Sequence, residues 1–406
     1  MTPTPPAPRN LFLINKLPFL ETFLNGRIWF IQIACLGLLI QSTALAEYKI
    51  GDIGAVALSV NTSIEANSNI DLNSDETDDI IARFQPMALF RANEGYLSID
   101  AAAGFQSKRY NDHDENDADD IRSHITILMP DENHGEIYSL QFDAGYNQYT
   151  RSDANQGRVT ETDNLTLATK GRYDLTNRTN LRGTIDSFNS DAQTKGDADV
   201  ETLTIPLSVY FKYDEAISVG AGYRYRTSET SGGFAKDIES NDHALYLGFE
   251  NLLSELLRYE VLVGYQLRNF TNSSDLDDEN GAYLKAGITW AMTEMSDLEL
   301  TAGNDYSTTT TSQSDETLYT QLKWSHRFDE RRSFQCGVRY EDITYNQADV
   351  KDRQDEEWSC FLRGAYILIP RRLSLNASLE YADRDSDVAY YQYTQTTARL
   401  GCQFLF

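Results

Sequence analysis

The sequence predicts an all-β chain whose antiparallel strands run up and down and close into a transmembrane barrel of about 18 strands. Three features predict it. Apolar and polar residues alternate at period 2 from residue 55 onward, the alternating blocks are joined by connections that are short and long in turn, and aromatics collect near both ends of the apolar rows. Alternation marks a strand with two unlike faces, because successive side chains point to opposite sides of a sheet. Strands in lipid must also close on themselves, since no solvent is there to satisfy a free backbone N–H or C=O.

The first element is not a strand. Residues 28–40 (IWFIQIACLGLLI) are the only long apolar run, preceded by Arg9, Lys16 and Arg27 and followed by Ala44-Leu45-Ala46. Basic flank, apolar run and small-x-small site make residues 1–46 a secretory signal with an extended n-region, cleaved after Ala46. Residues 47–406 are then the exported barrel domain. Losing three basic and one acidic residue, it keeps 32 basic against 61 acidic side chains, from 35 and 62 in the whole chain.

Strands follow near 55–66, 79–91, 96–109, 121–129, 136–149, 162–173, 178–189, 199–213, 217–229, 240–250, 257–270, 281–292, 297–307, 316–328, 333–345, 356–368, 373–385 and 391–406. In one row Leu203, Ile205, Leu207, Val209, Phe211 and Tyr213 share a face; in another Leu257, Tyr259, Val261, Val263, Tyr265 and Leu267 do. Short connections such as Asp174–Asn177 and Ile369–Arg372 are expected on the periplasmic side. Longer acidic ones, such as Asn111–Asp120 (NDHDENDADD), Thr271–Asn280 (TNSSDLDDEN) and Asn346–Asp355 (NQADVKDRQD), are expected outside the cell. No connection much exceeds about 12 residues, which favours a wide lumen over one narrowed by an inserted loop. Pro86 and Pro206 fall within strands, where each removes a ladder donor and predicts a local distortion.

The aromatics divide the apolar face. Phe90, Tyr173, Phe211, Tyr213, Phe249, Trp290, Trp324, Phe328 and Tyr366 precede short turns, and Phe105, Tyr146, Tyr223, Tyr225, Tyr265, Tyr306, Tyr340 and Tyr381 precede long loops. Aliphatic residues lie between them, which gives two girdles around a hydrocarbon band and an outer-membrane location. The same alternation explains a mean hydropathy of −0.48: only every second residue meets lipid. A bundle of membrane helices is excluded by that value, and 24 Tyr with 18 Phe exclude an unfolded acidic chain. At a formal charge of −27, nucleic acid is not an expected partner.

The polar face should line water, since a closure of this size leaves an aqueous lumen. Arg172, Arg182, Arg224, Arg226, Arg268, Arg339, Glu341, Arg363 and Arg399 are the pore-lining candidates, with arginine inside and acid mainly in the loops. Arg224 and Arg339 are expected to set ion preference. Phe404 and Phe406 end the last apolar row, as in a terminal strand read by the barrel assembly machinery. The expected surroundings are outer-membrane lipid and lipopolysaccharide. The five histidines, His113, His124, His134, His243 and His326, show no Ser or Asp partner at matching height, so no catalytic residues, metal or cofactor are assigned and an enzyme is not expected. Cys336, Cys360 and Cys402 alternate among apolar neighbours and read as small hydrophobes rather than a disulfide framework.

Four strings carry a family resemblance: Ala66-Asn67-Ser68-Asn69-Ile70, Ile80 to Leu89 (IIARFQPMAL), Gly95-Tyr96-Leu97 and Arg109-Tyr110. Through them the N-terminal third resembles an outer-membrane beta-barrel porin family often encoded beside exopolysaccharide biosynthesis genes. The resemblance implies a channel that exports a secreted polysaccharide together with periplasmic partners. The residues alone also admit a general or solute-selective diffusion porin, or a structural or adhesive surface barrel.

Overall fold

The computed structural model describes residues 48–406 apart from 52–53, 95, 131–136, 215, 234–236, 255, 273–275, 312–313 and 347–352. The signal reading of residues 1–46, the connection at 131–135 and His134 lie outside the described residues.

A short strand β1 (Tyr48–Ile50) precedes eighteen long ones: β2 (Gly54–Asn67), β3 (Asp79–Glu94), β4 (Leu97–Tyr110), β5 (Ala118–Met129), β6 (Tyr138–Asp153), β7 (Arg158–Thr176), β8 (Thr179–Ala192), β9 (Asp199–Lys212), β10 (Ser218–Ser231), β11 (Glu239–Ser254), β12 (Leu257–Phe270), β13 (Glu279–Thr293), β14 (Ser296–Thr308), β15 (Ser314–Arg327), β16 (Arg332–Asn346), β17 (Arg353–Ile369), β18 (Leu373–Ser386) and β19 (Tyr393–Leu405). Each of β2 to β18 pairs antiparallel with the strand that follows it, and β19 returns to β2 from Thr397↔Asn67 to Leu405↔Ser59. The sheet is a closed eighteen-stranded barrel. Among the described residues no helix is long and apolar enough to cross a membrane.

At the seam, Leu58 and Phe406 exchange backbone N–H···O bonds of 3.0 and 2.8 Å. Below that point β2 has no β19 beside it, and β1 takes the vacant edge, pairing Tyr48↔Val56 and Ile50↔Gly54. The other edge of β2 is held by β3 through Ala55↔Arg91. The short β1 therefore finishes the sheet beside the foot of β2.

Alternation sorts the faces as expected. Along β12, Tyr259, Val261, Val263, Tyr265 and Leu267 face outward, and Arg258, Glu260, Leu262, Gly264, Gln266 and Arg268 face inward. The two prolines break their ladders on one side only. Pairing of β3 with β4 lapses between Phe84↔Ser107 and Met87↔Gly104, and that of β8 with β9 between Gly183↔Leu207 and Asp186↔Thr204. Both lapses leave the register unchanged, because Val60↔Pro86 and Arg224↔Pro206 hold on the opposite edges.

The inner face changes character along the barrel axis. Near the short turns its side chains are exposed: Lys170 and Arg172 on β7, Arg258 and Glu260 on β12, Gln335 and Arg339 on β16, Arg363 on β17. Near the loops the same faces are buried: Thr160, Thr162 and Asn164; Gln266 and Arg268; Ile343 and Tyr345; Arg353 and Asp355. On β10–β11 the packing is tight enough that a Cβ on Gly222 would collide with the Tyr246 ring. The lumen is open at the turn end and filled at the loop end.

Candidate functional site: a hairpin across the lumen

What fills the loop end is a piece of the wall. The strands β6 and β7, 16 and 19 residues long, continue through the stretch that the sequence assigned to a loop after residue 149. They leave a four-residue turn, Ala154–Gly157. Within it the N–H groups of Gln156 and Gly157 donate to the Asp153 carbonyl at 3.0 and 2.8 Å. The Asn155 N–H donates to Asp153 Oδ1 at 2.8 Å. The turn closes with Gly157 at φ +63°, in the left-handed region that only glycine enters without strain.

A hairpin tip standing in solvent would be exposed, yet Gly157 is buried and Ala154, Asn155 and Gln156 before it are half-buried. The tip is docked on β16–β18, six to eight strands away from β6 round the ring of eighteen. Tyr345 Oη donates to Asn155 Oδ1 at 2.5 Å, with Arg353 Nη2 at 3.4 Å from the same oxygen. Arg384 Nη1 reaches the Ala154 carbonyl at 3.5 Å. The Gly157 carbonyl accepts from Asn73 Nδ2 at 2.7 Å and from Tyr390 Oη at 3.1 Å. From the side, Gln156 Nε2 contacts Thr310 Oγ1 at 3.4 Å, and Arg158 pairs with Asp197 at 2.7 Å.

The seat is itself built. Tyr345, 1% exposed, lies 3.7 Å from the Arg353 guanidinium carbon, and the Tyr391 ring covers it at 4.0 Å. Arg353 and Arg384 approach Asp355 at 3.2 and 3.3 Å, and Arg384 also meets Glu357 at 3.1 Å. The Asn-rich string at the end of β2 positions Asn73: Asn69, wholly buried, accepts from Leu72 N and donates to the Asn73 carbonyl at 2.7 Å, folding the β2–β3 loop into place. Ser152 Oγ donates to the Ile70 carbonyl, tying the hairpin stem to the same loop.

The sequence-assigned lumen arginines all lie on the inner face, but in pairs. Arg172 meets Asp174 at 2.9 Å, Arg182 meets Glu250 at 2.6 Å, Arg339 meets Glu341 at 2.5 Å and Arg363 meets Glu380 at 2.8 Å. Arg399 and Arg83 share Glu65. Arg224 and Arg226 share Asp305, and Arg226 and Arg268 share Asp242. This corrects two expectations. More acid lies on the inner face than the expected concentration in the loops allows, with Asp242, Glu250 and Asp305 facing arginines there, and the buried arginines among them need such counter-charges. Arg224, Arg226 and Arg268 lie under the filled end, Arg268 at 0% exposure, so none of the three presents a free charge to a permeating ion.

Two further expectations are revised. Tyr306, assigned to the outer girdle, is 1% exposed and stands 5.0 Å from the Arg268 guanidinium. Pairing between β13 and β14 stops at Lys285↔Gly303, and beyond it Asn304 substitutes, accepting from Leu284 N and donating to the Ala282 carbonyl, so the end of β14 parts from β13 while its ladder with β15 runs on to Thr308↔Ser314. Histidine partners do exist: His113 with Asp79 at 2.9 Å, His243 with Tyr223 at 2.6 Å and His326 with Ser296 at 2.6 Å. The last resembles a nucleophile and its base, but Ser296 is 6% exposed and out of reach of a substrate. In the Asp112–Asp120 segment the carboxylates serve the fold: Asp117 accepts from Tyr110 N, Asp119 pairs with Arg109 and Asp120 with Lys108. Cys336, Cys360 and Cys402 are free thiols, and Phe404 and Phe406 stack at 6.3 Å beside the seam.

Residues 223–406 match the family model described as "Putative beta-barrel porin 2", the part of the chain opposite to the one that carried the sequence resemblance. Among curated proteins none matches. Solved structures that this chain is similar to include OccK2 (OpdF) of Pseudomonas aeruginosa, 10% identical over 87% of this chain and 98% of that one, TM-score 0.48. The FrpB iron transporter of Neisseria meningitidis is 8% identical over 86% and 81%, TM-score 0.47. OccAB3 of Acinetobacter baumannii is 11% identical over 88% and 100%, TM-score 0.45.

Proposed function

We propose, from the porin-family match and the closed barrel as premise, that the protein is a diffusion porin of the Gram-negative outer membrane whose passage is narrowed by its own β6–β7 hairpin. The observation that carries this reading is the docking of Ala154–Gly157 on the far wall, which leaves an open vestibule at the turn end and a constriction near the loops. A passage bridged by a hairpin sorts solutes by size. Paired charges along the vestibule wall hold its field close to neutral, so modest ion selectivity is the physical consequence. Export of a polysaccharide, which the sequence resemblance favours, would require the hairpin to leave the mouth for each passing chain.

The test is reconstitution. Purified barrel in liposomes should admit monosaccharides and exclude large dextrans, and in planar bilayers it should conduct ions in discrete steps. Liposomes that remain impermeable to every solute would end the porin reading. A gene deletion that abolishes secreted polysaccharide and leaves small-solute uptake intact would instead establish export.

A further inference from the structure

Every seat contact on the hairpin tip runs in one direction. Tyr345 Oη, Arg353 Nη2, Arg384 Nη1, Asn73 Nδ2 and Tyr390 Oη are donors, and the three atoms they meet, the Ala154 carbonyl, Asn155 Oδ1 and the Gly157 carbonyl, are all amide oxygens. The tip does not exhaust the seat. Arg353 is 3% exposed, and its Nε and Nη1 have no hydrogen-bond partner, nor have the two carboxylate oxygens of Asp355 beside it. Buried donors left unmade are costly, so a better-fitting acceptor has free energy to gain there. Charge decides which acceptor. Arg353 and Arg384 face Asp355 and Glu357, two against two, so the seat offers a carboxylate no net attraction. Tyr345, Tyr390, Tyr391 and Tyr393 surround it with ring surface.

We propose that this seat is a binding site for an uncharged solute bearing an amide carbonyl, and that the hairpin tip occupies it as a built-in competitor until such a solute displaces it and widens the mouth. The chemistry is shared by N-acetylated sugars and by short blocked peptides. The opening half of the proposal rests on the porin reading, whereas the binding half does not.

The two halves are read separately. Binding is followed by saturation-transfer NMR on the detergent-solubilised full barrel, using N-acetylglucosamine and N-acetylglycinamide as amide probes, with glucose and acetate as amide-free controls. Opening is followed as conductance in planar bilayers. The amide probes should bind and raise conductance, and glucose and acetate should do neither; a response to one amide probe alone identifies the sugar or the peptide source. Asn155→Ala removes the tip's best acceptor without touching the seat. It should raise basal conductance and tighten amide binding about three- to tenfold, the equivalent of one hydrogen bond's competition. Adding Tyr345→Phe should reverse that gain in binding, and resistance of each unheated barrel to SDS checks that it is folded. Binding of acetate or glucose as strong as that of the amide probes, or amide binding unchanged in Asn155→Ala, overturns the proposal. Binding with no conductance in any variant refutes the porin reading and the opening step, and keeps the site.

Discussion

Replacing Gly157 with alanine should unseat the hairpin with the smallest possible change to the chain. Two costs fall on the docked state. At φ +63° an alanine is strained by about 1–2 kcal/mol relative to glycine. Its Cβ would also stand 2.6 Å from the Tyr390 ring, so the ring must move and its hydrogen bond to the Gly157 carbonyl is lost or bent, worth about 0.5–1.5 kcal/mol. Together they bias the tip against its seat by roughly 1.5–3.5 kcal/mol, or about 10- to 300-fold in the ratio of docked to released hairpin, at 1.4 kcal/mol per factor of ten. Single-channel recording should show more frequent or larger openings, and liposomes should admit sugars that the parent excludes. Barrel stability should change little, because no ladder pair involves Gly157. A Gly157→Ala barrel with the parent's conductance and size limit would refute the claim that the hairpin is the constriction.

Three further expectations concern the wall and the loops. Arg339→Gln leaves Glu341 without its partner in the vestibule, and Glu380→Gln leaves Arg363 without its own; reversal potentials in a salt gradient should move towards cations in the first and towards anions in the second, and shifts of one sign in both would show that these pairs do not border the conduit. The Asp79 carboxylate, by its hydrogen bond, holds the His113 imidazole above its ordinary pKa. The contribution of that pair is complete below about pH 6.5 and fades as pH rises through the higher folded value, so amides at Asn111–His113, which also donate to Asp79, should exchange faster at pH 8.5 than at pH 6 after correction for intrinsic rates. His113→Asn should abolish that difference. Arg371 holds φ +63° in the β17–β18 turn, and Arg371→Gly should raise the melting midpoint in detergent by relieving about 1 kcal/mol of strain; a lower midpoint would mean that the arginine side chain contributes more than its backbone costs.

The barrel was legible in the sequence because a two-sided wall writes its period into every strand. All eighteen blocks fall on β2–β19, and register errors are suppressed because a one-residue slip would turn an apolar row inward. The constriction was hidden for the same reason. Tyr149, Thr150, Arg151, Ser152 and Asp153 have no apolar face, since beyond the wall neither side of the hairpin meets lipid, and strands without alternation read as loop. Loop length was therefore the wrong measure: the inserted element is made of strand and ends in four residues. The inner-face ion pairs were half visible, as arginines without their acids. Partners such as Arg224 and Asp305 are 81 positions apart, a pairing that only the ring brings about. The parting of β14 from β13 just before the buried Tyr306, where one asparagine stands in for a strand's backbone, has no signature in periodicity.

The seam between β2 and β19 sets a condition on how the molecule can be made and handled. Its partners are among the most distant in the chain, with Glu65 and Arg399 separated by 334 positions. Contacts this remote form late, and until they do two unpaired strand edges stay available to other chains. Because β1 completes the edge of β2 below Phe406, the first and last strands of the barrel are consumed at one line of closure. A purification tag fused directly ahead of β1 or behind Phe406 would be carried into that line, whereas the β10–β11 and β12–β13 loops offer insertion points at the opposite rim.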